Sequence, residues 1–320
     1  MSVLAFEHPW LSGLFGDDEI AHFLSAEFQL AAMLRVEKAY TKALEKAGKI
    51  STPLAEGCLS ALETLDIDLH DLKNATARDG VVVPGLLKQI REQIEEELHS
   101  ALHTGMTSQD VIDTALVLGL KEISAILEQR LSDLIDQLQH IESQLQDTAI
   151  MGRTRMQAAK EIAATDRVAN WRAPLVRHRS RLEDIANNLL IVQLGGPVGN
   201  RREIGENADG VARSMAQYLE LGEAGKAWHS QRDTLVEFAN LLSLISGSIG
   251  KMAGDITLMA QQGVGEVKLT SGGGSSAMAH KQNPVTAEIL TSLARFNAVQ
   301  MAGMHQTLLH EQERSGAAWS

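Results

Sequence analysis

From Ile112 to Leu145 the chain places an apolar residue at Ile112, Leu116, Leu120, Ile123, Leu127, Leu131, Leu134, Leu138, Ile141 and Leu145. The average step is about 3.67 residues, close to the period of an α-helix. One helix of that length exceeds what an ordinary globular domain uses and commits the chain to a bundle of long helices. A second stripe, Leu235, Phe238, Leu242, Ile245, Ile249, Met252, Ile256 and Met259, alternates steps of three and four as a heptad seam does. Gly247, Gly250, Ala253 and Gly254 interrupt it with small residues that let another helix approach closely. A third long helix is expected from Pro284 through Leu290, Leu293, Phe296 and Met304 to about Leu308. Shorter helices are expected along Leu30, Met33, Leu34, Tyr40 and Leu44, and from Thr52-Pro53 through Leu54, Cys58, Leu62 and Leu65. Val81-Val82-Val83 before Pro84 is the only good strand candidate. The expected fold class is all-α, with an N-terminal helical domain over 1–104 and a central long-helix bundle over 105–320.

Composition narrows the function. The chain has 320 residues, 4% aromatics and only 6 Pro, a balance that favours long helices over sheets. A net charge of −12 argues against general nucleic-acid binding, which needs clustered Lys and Arg. Cys58 is the single cysteine, so neither a disulfide framework nor a cysteine zinc site is expected, and a reducing cytoplasm fits. Met1 to Glu19 lacks a basic region followed by an apolar core, so no signal peptide is expected. Leu241 to Ala260 is the most apolar stretch, but Lys251 and Asp255 interrupt it. It reads as a buried bundle helix, and no membrane span is expected.

The segment Gly272-Gly-Gly-Ser275-Ser276-Ala-Met-Ala-His280-Lys281-Gln-Asn283-Pro284 carries the most chemistry. Glycines make a mobile backbone, serines supply hydroxyls, Lys281 a cation, and Asn283-Pro284 an N-cap and first helical position. Such a loop on a helix N-terminus suits anions. A plain Gly/Ser linker is the competing reading, and the ordered Lys, Asn and Pro weigh against it.

Three further clusters are weaker alone. His103-Thr-Gly-Met-Thr107-Ser108-Gln-Asp110 precedes the first long helix, where Ser108 or Asp110 could serve only as a cap. Gly152-Arg153-Thr154-Arg155-Met-Gln157 puts two guanidinium groups between helices, where a solvated face is the ordinary explanation. In Trp228-His229-Ser-Gln-Arg232-Asp233, Arg232 could pair with Asp233 or Glu237 and do nothing else. Glu96, His99 and His103 share a helical face but lack the rest of a di-iron or zincin set, so no metal is expected. Gly195-Gly196-x-x-Gly199 has no βαβ unit around it, and the Gly272 loop lacks the Lys-Ser/Thr ending of a P-loop.

Taken in order, these blocks resemble the fumarase/aspartase superfamily. The loop from Gly274 to Pro284 is similar to its G-S-S-x-M-P-x-K-x-N-P signature, His103 to Asp110 to its H-x-G-x-T-S-x-D block, and Gly152 to Gln157 to its G-R-T-H-x-Q block. The resemblance implies a homotetramer whose active sites are each assembled from three blocks on three subunits. Ser275, His103 and Lys281 are then the catalytic set. Thr107, Ser108, Arg155, Gln157, Arg232, Ser276, Asn283 and Glu288 then bind substrate. Members usually continue into a small C-terminal helical domain beyond the point matching Ser320.

Two departures narrow the resemblance. Arg155 replaces the block-two His, an acid/base in the fumarate-releasing members, and Ala279 replaces a Pro. The flanking Val82-Val83-Pro84, Gln193-Leu-Gly195-Gly196, Trp228 to Asp233 and Val264 to Val267 are similar to the lactonizing branch, the 3-carboxy-cis,cis-muconate cycloisomerases. That branch closes a γ-lactone in aromatic catabolism without any cofactor. Its small polycarboxylate substrate carries about three negative charges at neutral pH. Ser275 is then the leading acid/base and His103 the runner-up. Glu288, which normally orients the absent His, is expected to pair with Arg155. The alternative is a fumarate-releasing lyase of the adenylosuccinate type, which would lose expected machinery with Arg155.

Overall fold

The long stripe folds as expected: Ser108–Gln144 is one helix of 37 residues. The computed structural model describes residues 4–269, 273–274, 278 and 281–316. In chain order its α-helices are α1 (Ser12–Phe15), α2 (Asp18–His22), α3 (Ala26–Lys46), α4 (Thr52–Ala61), α5 (Leu69–Asp79), α6 (Val83–Gln93), α7 (Ser108–Gln144), α8 (Ala164–Leu189), α9 (Ala208–Leu219), α10 (Asp233–Met259) and α11 (Val285–Gln306). The strands are β1 (Ala149–Thr154), β2 (Gln157–Ala163), β3 (Ile191–Val192) and β4 (Gly222–Glu223). The fold is all-α in character.

The chain groups into two compact units. One comprises residues 18–123, 186–235 and 306–320, the other residues 1–17, 124–185 and 236–305. The first has a continuous apolar core in which Val36, Tyr40 and Leu44 of α3 join Leu86 and Ile90 of α6, Val111 and Leu118 of α7, and Met215 and Leu219 of α9. Ser25 caps α3 by accepting from Phe28 N at 3.1 Å, and Asp68 caps α5 by accepting from His70 N and Asp71 N.

In the second unit, Leu131, Leu138, Val168, Trp171, Leu175, Leu241 and Ile245 are buried. The small-residue reading holds at Gly250, where a Cβ would sit 2.6 Å from the Ala294 Cβ of α11. Helix α11 keeps only Ala287 buried, and Phe296 and Val299 are 49% and 72% exposed. So much apolar surface on a single helix is typical of an association face.

The strand expectation needs correcting. Val83 opens α6 with Pro84 in its first turn, where proline's fixed φ and missing N–H cost nothing. Gly80, at φ 75, closes α5 just before it. The hairpin lies instead at β1–β2, with Ala149 paired to Ala163 and Thr154 to Gln157. Its connection is Arg155-Met156, both at positive φ (49° and 66°), as a two-residue type I′ loop demands. Neither residue is a usual choice there, so the strand signal was masked. Helix α8, also unanticipated, tolerates Pro174 in its interior and buries Val168, Trp171, Leu175, Leu182 and Ile185 at helical spacing. Among the described residues no helix is long and apolar enough to cross a membrane.

Candidate active site

In the first unit the N-terminus of α7 is organised by Asp110. Its carboxylate accepts from Thr107 N (3.0 Å), Gly195 N (2.8 Å), Gly196 N (2.9 Å) and His229 Nε2 (2.8 Å), and the residue is fully buried. The capping reading of Asp110 is therefore correct and incomplete, since the same group also holds the Gly195-Gly196 loop. One turn on, Asp113 receives both terminal nitrogens of Arg232 at 2.8 and 2.9 Å. Arg232 pairs neither with Asp233 nor with Glu237 in this way; its guanidinium is 7% exposed and the Asp113 carboxylate 1%. Gln109 and Gln193 also donate to Asp113, and the Trp228 ring lies 5.3 Å from the Arg232 guanidinium carbon.

His103 stands at φ 61 with Nδ1 2.7 Å from Glu37 Oε1. Thr107 Oγ1 accepts a hydrogen bond from Arg314, a residue sequence reasoning missed. Close by, burial first and then the Arg232 charge push the His310 imidazole below its ordinary value. Glu37 was also missed, although a signal exists: it interrupts the apolar series Met33, Tyr40, Leu44 at a heptad position.

In the second unit a cavity of about 1500 Å³ is lined by the β1–β2 hairpin, α8, α10 and Glu266. Arg155, at the hairpin tip, lines it together with Arg153, Lys160, Arg167 and Lys251. Lys251 pairs with Asp255, which also accepts from Trp171 Nε1 at 2.7 Å. Arg153 and Arg167 both pair with Glu266, the latter at 2.6 Å. Arg155 and Lys160 line the same cavity with no ion pair among the described residues. The expected Arg155–Glu288 pair is likewise not formed there; Glu288 is exposed.

Burial pushes the Glu266 carboxyl up, but hydrogen bonds from Arg153 and Arg167 outweigh it and hold the group below the usual glutamate range. A depressed carboxyl contributes its full stability above the ordinary value of about 4.3 and loses it as pH falls through the lower folded value. Glu266→Gln is therefore expected to lower Tm at pH 7 and to converge on the parent as pH drops below about 4. A Tm difference that stays constant down to pH 3 would refute the assignment.

Lys281 is exposed, and Asn283 forms an antiparallel bridge with Gly273, each N donating to the other's O at 3.0 Å. A Cβ at Gly273 would collide with the Val285 side chain. Asn283 is thus a bridge partner, with α11 starting two residues later at Val285. Ser275 and Ser276 lie outside the described residues. Of the expected site, His103, Thr107, Ser108 and Arg232 fall in the first unit, and Arg155, Gln157, Lys281, Asn283 and Glu288 in the second.

The lyase family pattern matches residues 11–297. The chain belongs to the fumarase/aspartase superfamily. Members of this superfamily are typically oligomeric and act on small carboxylates. The chain is 35% identical to a 3-carboxy-cis,cis-muconate cycloisomerase of Pseudomonas aeruginosa, across 91% of this chain and 65% of that protein. It is 30% identical to the Acinetobacter baylyi enzyme of the same name, across 96% and 70%. Its fold is similar to the crystal structure of the 3-carboxy-cis,cis-muconate lactonizing enzyme from Pseudomonas putida, with a TM-score of 0.88, 32% identity, and coverage of 97% and 70%. The chain thus spans roughly two thirds of the length of the curated relatives it matches.

Proposed function

We propose that this superfamily member is a cofactor-independent cycloisomerase that lactonizes 3-carboxy-cis,cis-muconate, the substrate named for its relatives, in cytoplasmic aromatic catabolism. The observation that carries the reading is Arg155. It stands at a strained hairpin tip on a cation-lined cavity, where the fumarate-releasing branch is expected to need a histidine. A guanidinium offers paired N–H donors to a carboxylate but no proton-abstracting lone pair, which suits an addition more than a fumarate-releasing elimination.

In this reaction one substrate carboxylate oxygen attacks the conjugated C=C bond and closes a γ-lactone. The electron pair moves to the adjacent carbon and into its carboxylate, and Ser275 delivers a proton to that carbon. Lys281 and His103 stabilise the charge as it develops, the largest contribution expected in such a site. Thr107, Ser108, Gln157, Ser276, Asn283 and Glu288 line the bound substrate. Arg232 stands at the site with its charge balanced by Asp113. Three carboxylates become two plus an ester, so each turnover takes up one proton.

The test is direct. With 3-carboxy-cis,cis-muconate in weakly buffered solution containing a chelator, the diene absorbance should decay with uptake of one proton per molecule. Fumarate release from adenylosuccinate without muconate decay would replace this reading with the lyase one.

The same proposal includes a homotetramer with sites shared between subunits, and a domain division near residue 105. The exposed apolar residues of α11 support an assembly. Light scattering should give four times the chain mass of 34.7 kDa; an active monomer would sink both the tetramer and the shared site.

A further inference from the structure

Helix α3 grips the loop around His103 at three points. Glu37 Oε1 lies 2.7 Å from His103 Nδ1, Tyr40 donates its hydroxyl to Thr104 O at 2.6 Å, and Thr41 donates to Ala101 O at 3.0 Å. Residues 37, 40 and 41 share one helical face, so one rigid element sets both the loop backbone and the ring. The loop needs such support, because His103 adopts a positive φ that an L-residue rarely takes.

Two histidine–carboxylate pairs occur among the described residues, and they differ in kind. In His229–Asp110 both side chains are at most 3% exposed, and the aspartate also serves three backbone N–H groups. That pair is architecture. In His103–Glu37 the carboxylate is 1% exposed and the imidazole 12%, so the pair has a closed end and an open one. A carboxylate can only accept, which places the proton on Nδ1 and leaves Nε2 as the ring atom facing outward.

We infer that Glu37 is the positioning residue of this site, holding His103 by Nδ1 so that Nε2 is presented to a carboxylate of the substrate. The inference rests on the cycloisomerase reading above. When the ring carries its second proton, Nε2–H hydrogen-bonds the carboxylate that gains charge during lactonization, and Glu37 balances the cation from behind. No bond to His103 forms or breaks; the carbon still takes its proton from Ser275. The superfamily's usual histidine is absent at Arg155, and Glu37 gives the remaining site histidine a carboxylate of its own.

The experiment combines kinetics with nitrogen-15 NMR of the imidazole. Glu37→Gln keeps the side-chain shape and should lower kcat on 3-carboxy-cis,cis-muconate by about 10²-fold with KM changed less than about threefold, the pattern of an interaction used in the transition state. In a His103→Gln background the same change should cause no further loss, because Glu37 acts only through that ring. Additive losses would reduce Glu37 to a stabilising residue and overturn the inference. NMR should find the Nδ1 proton in the parent protein and its redistribution in Glu37→Leu; a neutral ring protonated at Nε2 in the parent overturns it as well. If no muconate is turned over, the cycloisomerase reading fails, and the NMR result alone decides the pairing.

Discussion

Replacing Ser275 by alanine is expected to lower kcat by about 10²–10⁴-fold while leaving KM nearly unchanged. The hydroxyl is the proposed proton donor to the carbanion beside the carboxylate, a role that exists only once the lactone ring begins to close. The cations that recognise the ground-state polyanion, Arg155 and Lys281 among them, remain in place. A serine hydroxyl is a poor acid–base group unless its surroundings favour the alkoxide, and a nearby lysine with backbone donors can do that. Lys281→Ala should therefore depress both kcat and affinity, since its charge is felt by substrate and intermediate alike. A Ser275→Ala enzyme with kcat near the parent value would move proton delivery to His103 or solvent and leave the glycine loop as a cover.

The second large effect concerns stability. Arg232→Leu strands the Asp113 carboxylate in a site where it is 1% exposed, with only Gln109 and Gln193 among the described residues left to donate to it. Removing one member of a buried pair typically costs about 3–5 kcal/mol, because the remaining charge stays desolvated without its partner. Converting both residues to apolar ones of similar volume should cost far less, since no charge is then buried. Urea denaturation of the single and double variants measures the difference. A loss below about 1 kcal/mol for Arg232→Leu would mean that Asp113 is wet in solution, and that Arg232 is free to bind substrate directly.

The site was legible in the chain to an uneven degree. The block residues His103, Arg155 and Lys281 stand out because the short motifs around them resemble the superfamily's blocks. Their partners do not. Glu37 is 66 residues from His103, and Asp113 is 119 from Arg232, so no local pattern joins either pair. The local reading of Arg232 paired it with Asp233 or Glu237, and packing against α7 gave it Asp113 instead. At Asp110 the local reading survived, because a cap is a contact within one helical turn. Helix α8 was missed for a related reason: its apolar face is narrow among many arginines, and Pro174 argues against a helix until tertiary packing overrides it.

What the sequence determined by itself is the set of long helices α7, α10 and α11 and the small residue, Gly250, at which one of them meets its neighbour. Helical periodicity is written locally, in residues three and four apart, and needs no knowledge of what the apolar face will meet. The tertiary structure decided which charges are spent and which remain available. Arg232 is balanced by Asp113, and Arg153 and Arg167 share the single carboxylate of Glu266, whereas Arg155 and Lys160 face the cavity without an ion pair among the described residues. An ion pair depends on the distance between two groups in space and on how far water is excluded around them, and only the folded chain sets both.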